Sequence, residues 1–402
     1  MKTLIKSTFA KYLKFHWGLL FILSIISFFS LQTIESAARH FDQGGSWFAQ
    51  RQLLWVVLGV LLCLAISVVD YHKLKRLIPY SYILGILSLI ACIFWGNATH
   101  QIDLGIIAFQ PVQFAILTTL LFCSYSFEQV WEYDGRWSMI AKLLIIGIFA
   151  TLPLILILLI GDTGTALVWL PSLFIMLLIT NFPWRYLSLI LITLIALLPI
   201  LYYFVLPLAP ERPQERIKTY IATINQEKVD INNDAYAQHY ISLAIGKAGL
   251  RGTGLNSTVE DGSIHAQKYI PWKTAHNDFI FAVFAEERGF LGSLLLLILY
   301  ASLLIALLFI SIQSQDIFAS CFTNLAAFWF FSHIFQNISM CLLLMPITGV
   351  PLPFMSYSGT FTITCFAIIG IVQSIWIHRK QKLADKSSKI DLLNLNKFAS
   401  LK

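Results

Sequence analysis

The sequence predicts an all-α, polytopic membrane protein with about ten transmembrane helices. Two observations carry this. The 402 residues are 57% hydrophobic and only 12% charged, where a soluble domain is usually about 45–50% apolar and 25% charged. The apolar residues also come in runs of about 20, the length that crosses a bilayer as a helix. Mean hydropathy is +0.74. The longest stretch without a long apolar run is Ala209–Asn277, so no soluble domain of usual size fits.

The expected spans, in order, are Trp17–Thr33, Leu53–Val69, Leu77–Trp95, Val112–Phe127, Met139–Leu159, Thr163–Thr180, Trp184–Leu206, Phe279–Ser311, Ile317–Met345 and Thr360–His378. Only Ile160, Gly161 and Asp162 separate the fifth from the sixth. Those two therefore read either as two spans or as one span and a re-entrant piece.

Charge checks the count. Lys2, Lys6, Lys11 and Lys14 precede the first span. Lys73, Lys75 and Arg76 follow the second, Arg136 and Lys142 flank the start of the fifth, Arg185 lies at the start of the seventh, and Arg379, Lys380, Lys382 and Lys386 follow the last. Ten spans put all of these on one side, leaving Arg39 and Arg51 as the short-loop cations opposite. By the positive-inside rule both termini are then cytoplasmic. The net charge of +7 is accounted for by this bias, and no nucleic-acid partner is expected. Cys63, Cys92, Cys123, Cys321, Cys341 and Cys365 all lie in apolar runs without a CxxC pair. They read as small buried hydrophobes, with no disulfide framework or zinc site.

This topology makes residues 209–277 a large outer loop between spans 7 and 8. The stretch from Arg216 to Gly254 is half apolar and is expected to pack on the membrane domain as short helices. Residues 384–402 form a polar cytoplasmic tail, either a surface helix or disordered.

Polar groups gather at the outer ends of the last three spans. His276, Asn277 and Asp278 meet the start of span 8, and Glu286, Glu287 and Arg288 follow two turns deeper. Asp278 reads as a helix cap, or as a carboxylate that takes a proton from a hydroxyl or holds a divalent cation. Ionisable groups within a span mark function or an internal ion pair, so Glu286 and Glu287 have both readings. Asp162, between Gly161 and Gly164, either caps the helix at Thr163 or lines a cavity. Leu352–Thr360 is an irregular outer loop with two prolines and a glycine. His333, Gln336 and Asn337 share a face of span 9 and are expected to form interhelical hydrogen bonds.

These residues also resemble a known family. His276–Val283 followed by Ala285–Gly292 resembles the HTDFIFAV…EELGxxG signature of the RodA/FtsW/SpoVE (SEDS) peptidoglycan glycosyltransferases. Gly349–Thr360 resembles GVPLPFxSYGGS, and its Gly-Val-Pro-Leu-Pro form is closer to RodA than to FtsW. Asp162–Ala166 resembles PDLGTA, Phe109–Pro111 resembles FQPSE, and Ala244–Gly254 resembles AIGSGGLxGxG. Asn337 matches the family's asparagine in the ninth span. The matches occur in the family's order across most of the chain, as a single SEDS membrane domain over 1–402.

The resemblance implies polymerisation of lipid II into glycan strands at the periplasmic face, during cell-wall elongation and cell-shape maintenance. It implies Asp278 as the essential aspartate, acting as general base or as ligand of a divalent cation (Mg or Mn), and a class B penicillin-binding protein as partner. His276, Asp162, Glu286, Glu287, Ser356, Tyr357 and Asn337 would bind substrate or support the site, with Arg216 and Lys247 as basic groups for pyrophosphate. The chain departs from the pattern at several points. Gln113 and Ile116 stand where the family has glutamate and lysine, Gly161 replaces a proline, Ser358 a glycine, and His100-Gln101 the usual Arg-Trp. A lipid II flippase and a non-catalytic scaffold of the elongation machinery are the rival functions. The flippase predicts inverted repeats and mid-membrane polar groups. The scaffold predicts a dispensable Asp278.

Overall fold

The computed structural model describes residues 11–97, 101–103, 108–131, 144, 146–179, 185, 188, 192–193, 196, 211–225 and 234–379. The expected seventh span, Trp184–Leu206, and the tail 384–402 lie essentially outside these residues. The helices are α1 (Trp17–Ala37), α2 (Gly45–Val68), α3 (Ile78–Trp95), α4 (Pro111–Trp131), α5 (Thr151–Ile160) and α6 (Thr163–Ile179). They continue with α7 (Glu211–Ile224), α8 (Asp234–Lys247), α9 (Ile280–Ile312), α10 (Ile317–Cys341) and α11 (Gly359–His378). An antiparallel pair of two-residue strands, β1 (Ile102–Asp103) and β2 (Ala108–Phe109), precedes α4 and departs from the all-helical expectation.

Six helical stretches among the described residues are long and apolar enough to cross a membrane. Their surfaces explain why. Leu53, Leu54, Val57, Leu58 and Leu61 of α2 are exposed, as are Ile83, Leu84 and Leu87 of α3 and Leu294, Leu295 and Ile298 of α9. Water would not tolerate so continuous an apolar surface, whereas lipid is matched to it. The interior carries polar side chains instead: Gln52, Thr33, Ser67, His333, Gln336, Asn337 and Gln373 are buried. Such groups bond across helices where lipid offers no partner. All six cysteines are buried, and none forms a disulfide among the described residues.

The expected boundaries hold within a few residues for most spans. α10 ends at Cys341 rather than Met345, because Leu343 has a φ of +59°, outside the helical region. The fifth and sixth runs form two helices joined through Gly161, which is left-handed at φ +95°. The backbone of α9 departs from helical geometry at Gly289 (φ +65°), where residues 251 and 252 pass so close that any Cβ would collide with the backbone. Within residues 209–277 the expected short helices are present among the described residues as α7 and α8. Tyr220 Oη of α7 donates to the Leu344 carbonyl at 2.6 Å, tying α7 to the segment after α10.

At the end of the bundle opposite Asp278, Asp316 caps α10 through the Ala319 amide at 2.7 Å. It also accepts from the Tyr71 hydroxyl at 2.5 Å and lies 3.2 Å from His72 Nε2. Lys75 joins it to Glu128 at 2.7 Å. This cluster fixes the ends of α3, α4 and α10 at one level.

Candidate active site

The site is built on three backbone segments that meet at one end of the bundle: 276–279 before α9, 346–358 before α11, and 161–164 before α6. None could be held by side-chain packing alone, because each is irregular and carries unpaired backbone groups that need partners.

Asn337 supplies two of them. From its buried place on α10, its Nδ2 donates to the Asp278 carbonyl at 2.8 Å and to the Val350 carbonyl at 2.7 Å. Ser356 supplies a further pair, donating to the Asn277 carbonyl at 2.6 Å and accepting from the Leu352 amide at 2.8 Å. The Tyr357 amide donates to the His276 carbonyl at 3.0 Å. His333 lies 3.1 Å from the Pro351 carbonyl through Nδ1. Sequence spacing predicts bonds between helices for His333, Gln336 and Asn337. His333 and Asn337 reach loop carbonyls instead, and Gln336 Nε2 has no hydrogen-bond partner among the described residues.

Asp278 does not cap α9. The capping position belongs to Phe279 and is made without a side-chain hydrogen bond. The Asp278 carboxylate faces the 348–350 segment instead: a Cβ added to Gly349 would stand 3.4 Å from Asp278 Oδ2. Burial pushes its pKa up to about 6. The positive charge of Arg216 pulls it down and the negative charge of Asp162 pushes it further up. Arg216 comes from α7 and Asp162 from the α5–α6 turn, so three elements distant in sequence share one electrostatic site.

Asp162 does cap its helix, accepting from the Thr165 amide at 3.0 Å and the Thr165 hydroxyl at 2.8 Å. The capping reading of this residue holds. Gly164 is required beside it, because a Cβ there would lie 2.3 Å from the Thr348 carbonyl oxygen. The start of α6 thus packs directly on the loop that faces Asp278. Next to this junction is a cavity of about 300 Å³ between α5, α6, α7 and residues 346–348.

His276 is a packing residue. It is buried against Phe41, Phe48 and Tyr357 with ring centroids 5.0–5.3 Å away. Burial lowers its pKa to about 4, so the imidazole is neutral at physiological pH. Glu286 and Glu287 take the structural reading. Glu286 accepts from the Ile264 and His265 amides. Glu287 accepts from the Ser36 hydroxyl and the Asn256 amide. Arg39 adds a hydrogen bond to the Ser257 carbonyl at 2.5 Å and stands 3.8 Å from Glu287. These groups pin residues 256–265 to α1 and α9. Lys247 is exposed at the end of α8, and the charges that reach Asp278 are those of Arg216 and Asp162. Gln113 and Ile116 are both buried on α4, and Gln113 Oε1 has no hydrogen-bond partner among the described residues.

Among the described residues no three His, Cys, Asp or Glu side chains converge as a metal site. Sequence reasoning missed Phe41 and Phe48 beside His276, and the Leu154, Leu158 and Ile217 walls of the cavity. Their roles arise from contacts far apart along the chain, and no local pattern marks them.

A family model described as "Cell cycle protein" (FTSW_RODA_SPOVE) matches residues 10–381. The chain belongs to this family. The peptidoglycan glycosyltransferase MrdB of Escherichia coli is 31% identical to this FtsW/RodA/SpoVE member over 337 residues, covering 82% of this chain and 86% of that protein. The peptidoglycan glycosyltransferase RodA of Treponema pallidum is 25% identical over 390 residues, covering 81% and 88%. Among solved structures, a chain from work on "structural coordination of polymerization and crosslinking by a peptidoglycan synthase complex" superposes with a TM-score of 0.73 at 25% identity, covering 91% of this chain and 99% of that one. The rod shape determining protein RodA of Thermus thermophilus shares the fold, with a TM-score of 0.63 at 23% identity over 91% of this chain. The family assignment gives the departures at Gln113 and Ile116 a physical meaning. A glutamate and a lysine three residues apart share a helix face, and here both charges are absent together.

Proposed function

We propose that this protein polymerises lipid II into glycan strands, with Asp278 as the base. The chain is a peptidoglycan glycosyltransferase of the cell-elongation type, as its RodA and MrdB relatives are named. The observation that carries the site reading is the half-buried Asp278 carboxylate. It is held by its backbone to Asn337, poised near pH 6, and lies within electrostatic reach of a single cation, Arg216, among the groups that shift it.

Such a carboxylate is ionised at neutral pH yet basic enough to accept a proton. It takes the proton from the acceptor sugar hydroxyl as that oxygen attacks the anomeric carbon of the donor. The bond from that carbon to the pyrophosphate breaks, and polyprenyl pyrophosphate leaves with the electron pair. Negative charge grows on the leaving group, and a fixed cation lowers the barrier there. Arg216 is positioned for that task. Asp162 keeps Asp278 from becoming too weak a base.

One carboxylate at the centre is compatible with Mg2+ or Mn2+. These ions keep several waters and take ligands from substrate phosphates. Bound by Asp278, such an ion would neutralise pyrophosphate charge.

Ten spans with both termini cytoplasmic are supported by the distribution of Lys and Arg, and put Asp278 at the periplasmic side of a bacterial inner membrane. The partner proposed is a class B penicillin-binding protein that crosslinks the strands. The test is polymer formation from lipid II by the purified protein with that partner. Wild type is expected to make long strands and Asp278→Ala none, with Asp278→Ala retaining partner binding and melting temperature. Equal polymerisation by both would end the assignment and favour a scaffold.

A further inference from the structure

The loop before Asp278 carries an aromatic and cationic surface that the chemistry at the carboxylate does not use. Trp272 is half-buried, while Lys268 and Lys273 beside it are exposed. The two ammonium nitrogens stand 5.9 and 5.6 Å from the centre of the indole, within the range at which a cation is drawn to an aromatic face. Among the described residues no carboxylate lies within ion-pair distance of either lysine. Lys268 has a φ of +63°, in the left-handed region that residues with a side chain rarely occupy. Such backbone persists only where its surroundings hold it, here through the Lys268 amide, which donates to the His265 carbonyl at 2.9 Å.

This surface is tied to the site by two routes. Trp272 sits in a turn that begins at Pro271 and is closed by the Thr274 amide, which donates to the Pro271 carbonyl at 3.0 Å. The Thr274 carbonyl in turn accepts from the Asp278 amide at 2.9 Å. The Trp272 ring also meets Phe41 at 5.2 Å, and Phe41 meets His276 at 5.1 Å. Two ring-to-ring steps thus separate the indole from His276, which precedes Asp278 by two residues. That separation is comparable to a disaccharide repeat.

We propose that Trp272, Lys268 and Lys273 form a platform for the glycan strand, a repeat away from the bond being made. This rests on the glycosyltransferase reading and adds to it a site for the polymer. A sugar ring presents a face of C–H bonds, which packs on an indole while its hydroxyls stay in water. The peptide stems of a peptidoglycan strand carry carboxylates, and two exposed ammonium groups beside the indole are placed to pair with them. A hydrocarbon tail would use the indole and leave the lysines idle, and a free phosphate would do the opposite. Trp is also common at membrane interfaces, a role that requires no contact with sugar.

The test titrates the full-length protein in detergent, by calorimetry, with lipid-free peptidoglycan tetrasaccharides that carry or lack their peptide stems. Trp272→Ala should weaken the stem-bearing fragment about tenfold, and Trp272→Tyr should keep most of the wild-type affinity. Lys268→Gln combined with Lys273→Gln should weaken the stem-bearing fragment and leave the bare fragment unchanged. That loss should shrink as salt is raised, because exposed charges are screened. Both lysines are exposed, so this pair reads the platform even if Trp272→Ala fails to fold. With lipid II and the penicillin-binding partner, the Trp272→Ala and double-lysine variants should both make shorter strands than wild type.

Equal affinity of wild type and Trp272→Ala for the tetrasaccharide, or a lysine effect that does not depend on the peptide stems, would each overturn the proposal. Unchanged fragment binding by Trp272→Ala with a lower melting temperature in lipid nanodiscs would assign the indole to the membrane interface instead. Lipid II polymerisation by wild type is measured in parallel. Polymerisation without fragment binding would remove the platform and leave the enzyme reading standing. Fragment binding without polymerisation would do the reverse.

Discussion

The pKa of Asp278 gives a two-way test of the site. Burial raises this carboxylate to about 6. A group with that pKa is about nine-tenths ionised at pH 7 and about one-tenth at pH 5. If the ionised form is the base, kcat/KM for lipid II should fall about tenfold between those pH values. Two substitutions should then move the acid limb in opposite directions. Arg216 favours the charged carboxylate, so Arg216→Gln raises the Asp278 pKa and shifts the limb to higher pH. Asp162 disfavours it, so Asp162→Asn lowers the pKa and shifts the limb to lower pH. The assay is the initial rate of glycan formation from labelled lipid II at subsaturating substrate between pH 4.5 and pH 8, in a buffer series of constant ionic strength. A merely structural role for either residue would lower the whole curve without moving its midpoint. A flat profile from pH 5 to 7 in the wild type, or a shift of both variants in the same direction, would refute the electrostatic account.

Asn337→Ala should leave the Asp278 and Val350 carbonyls unpaired, at a cost of about 1–3 kcal/mol each if they stay buried. A lowered melting temperature in detergent and a larger loss of kcat than of substrate affinity are expected. Gly164→Ala puts a methyl 2.3 Å from the Thr348 carbonyl, so the loop facing Asp278 must move, and polymerisation should fall at least about tenfold with partner binding intact. Glu286→Ala removes the acceptor for two amides at Ile264 and His265, so limited proteolysis should cut within residues 256–266 faster than in wild type. At Gln113 and Ile116, both buried, Ile116→Lys alone should destabilise by about 3–5 kcal/mol as an unpaired buried charge. Adding Gln113→Glu should recover much of that, and strictly additive melting shifts would show that the two positions do not interact.

The sequence by itself determined the class of the protein, most helix boundaries, the family and the motif that contains Asp278. Membrane helices are legible because a bilayer imposes one length and one polarity on every span. The motif at residues 276–292 is contiguous, so it survives as a pattern. Sequence spacing also placed His333 and Asn337 on one helix face, but it could not say that Asn337 reaches the Asp278 and Val350 carbonyls. That depends on how α10 packs against two loops.

Only the tertiary structure decided what surrounds the carboxylate. Asp162, Arg216 and Asp278 lie more than fifty residues apart in each consecutive pair, and nothing local predicts that their charges meet. The same holds for Glu286 and Glu287, which hold loop amides from 256 and 264–265. The cavity walls come from four separate segments with ordinary apolar residues, and its shape exists only once α5, α6 and α7 are packed. Hydrophobicity is a property each residue carries alone, so composition reveals the bundle. A pKa and a hollow are properties of what stands next to what, and only the folded chain sets those neighbours.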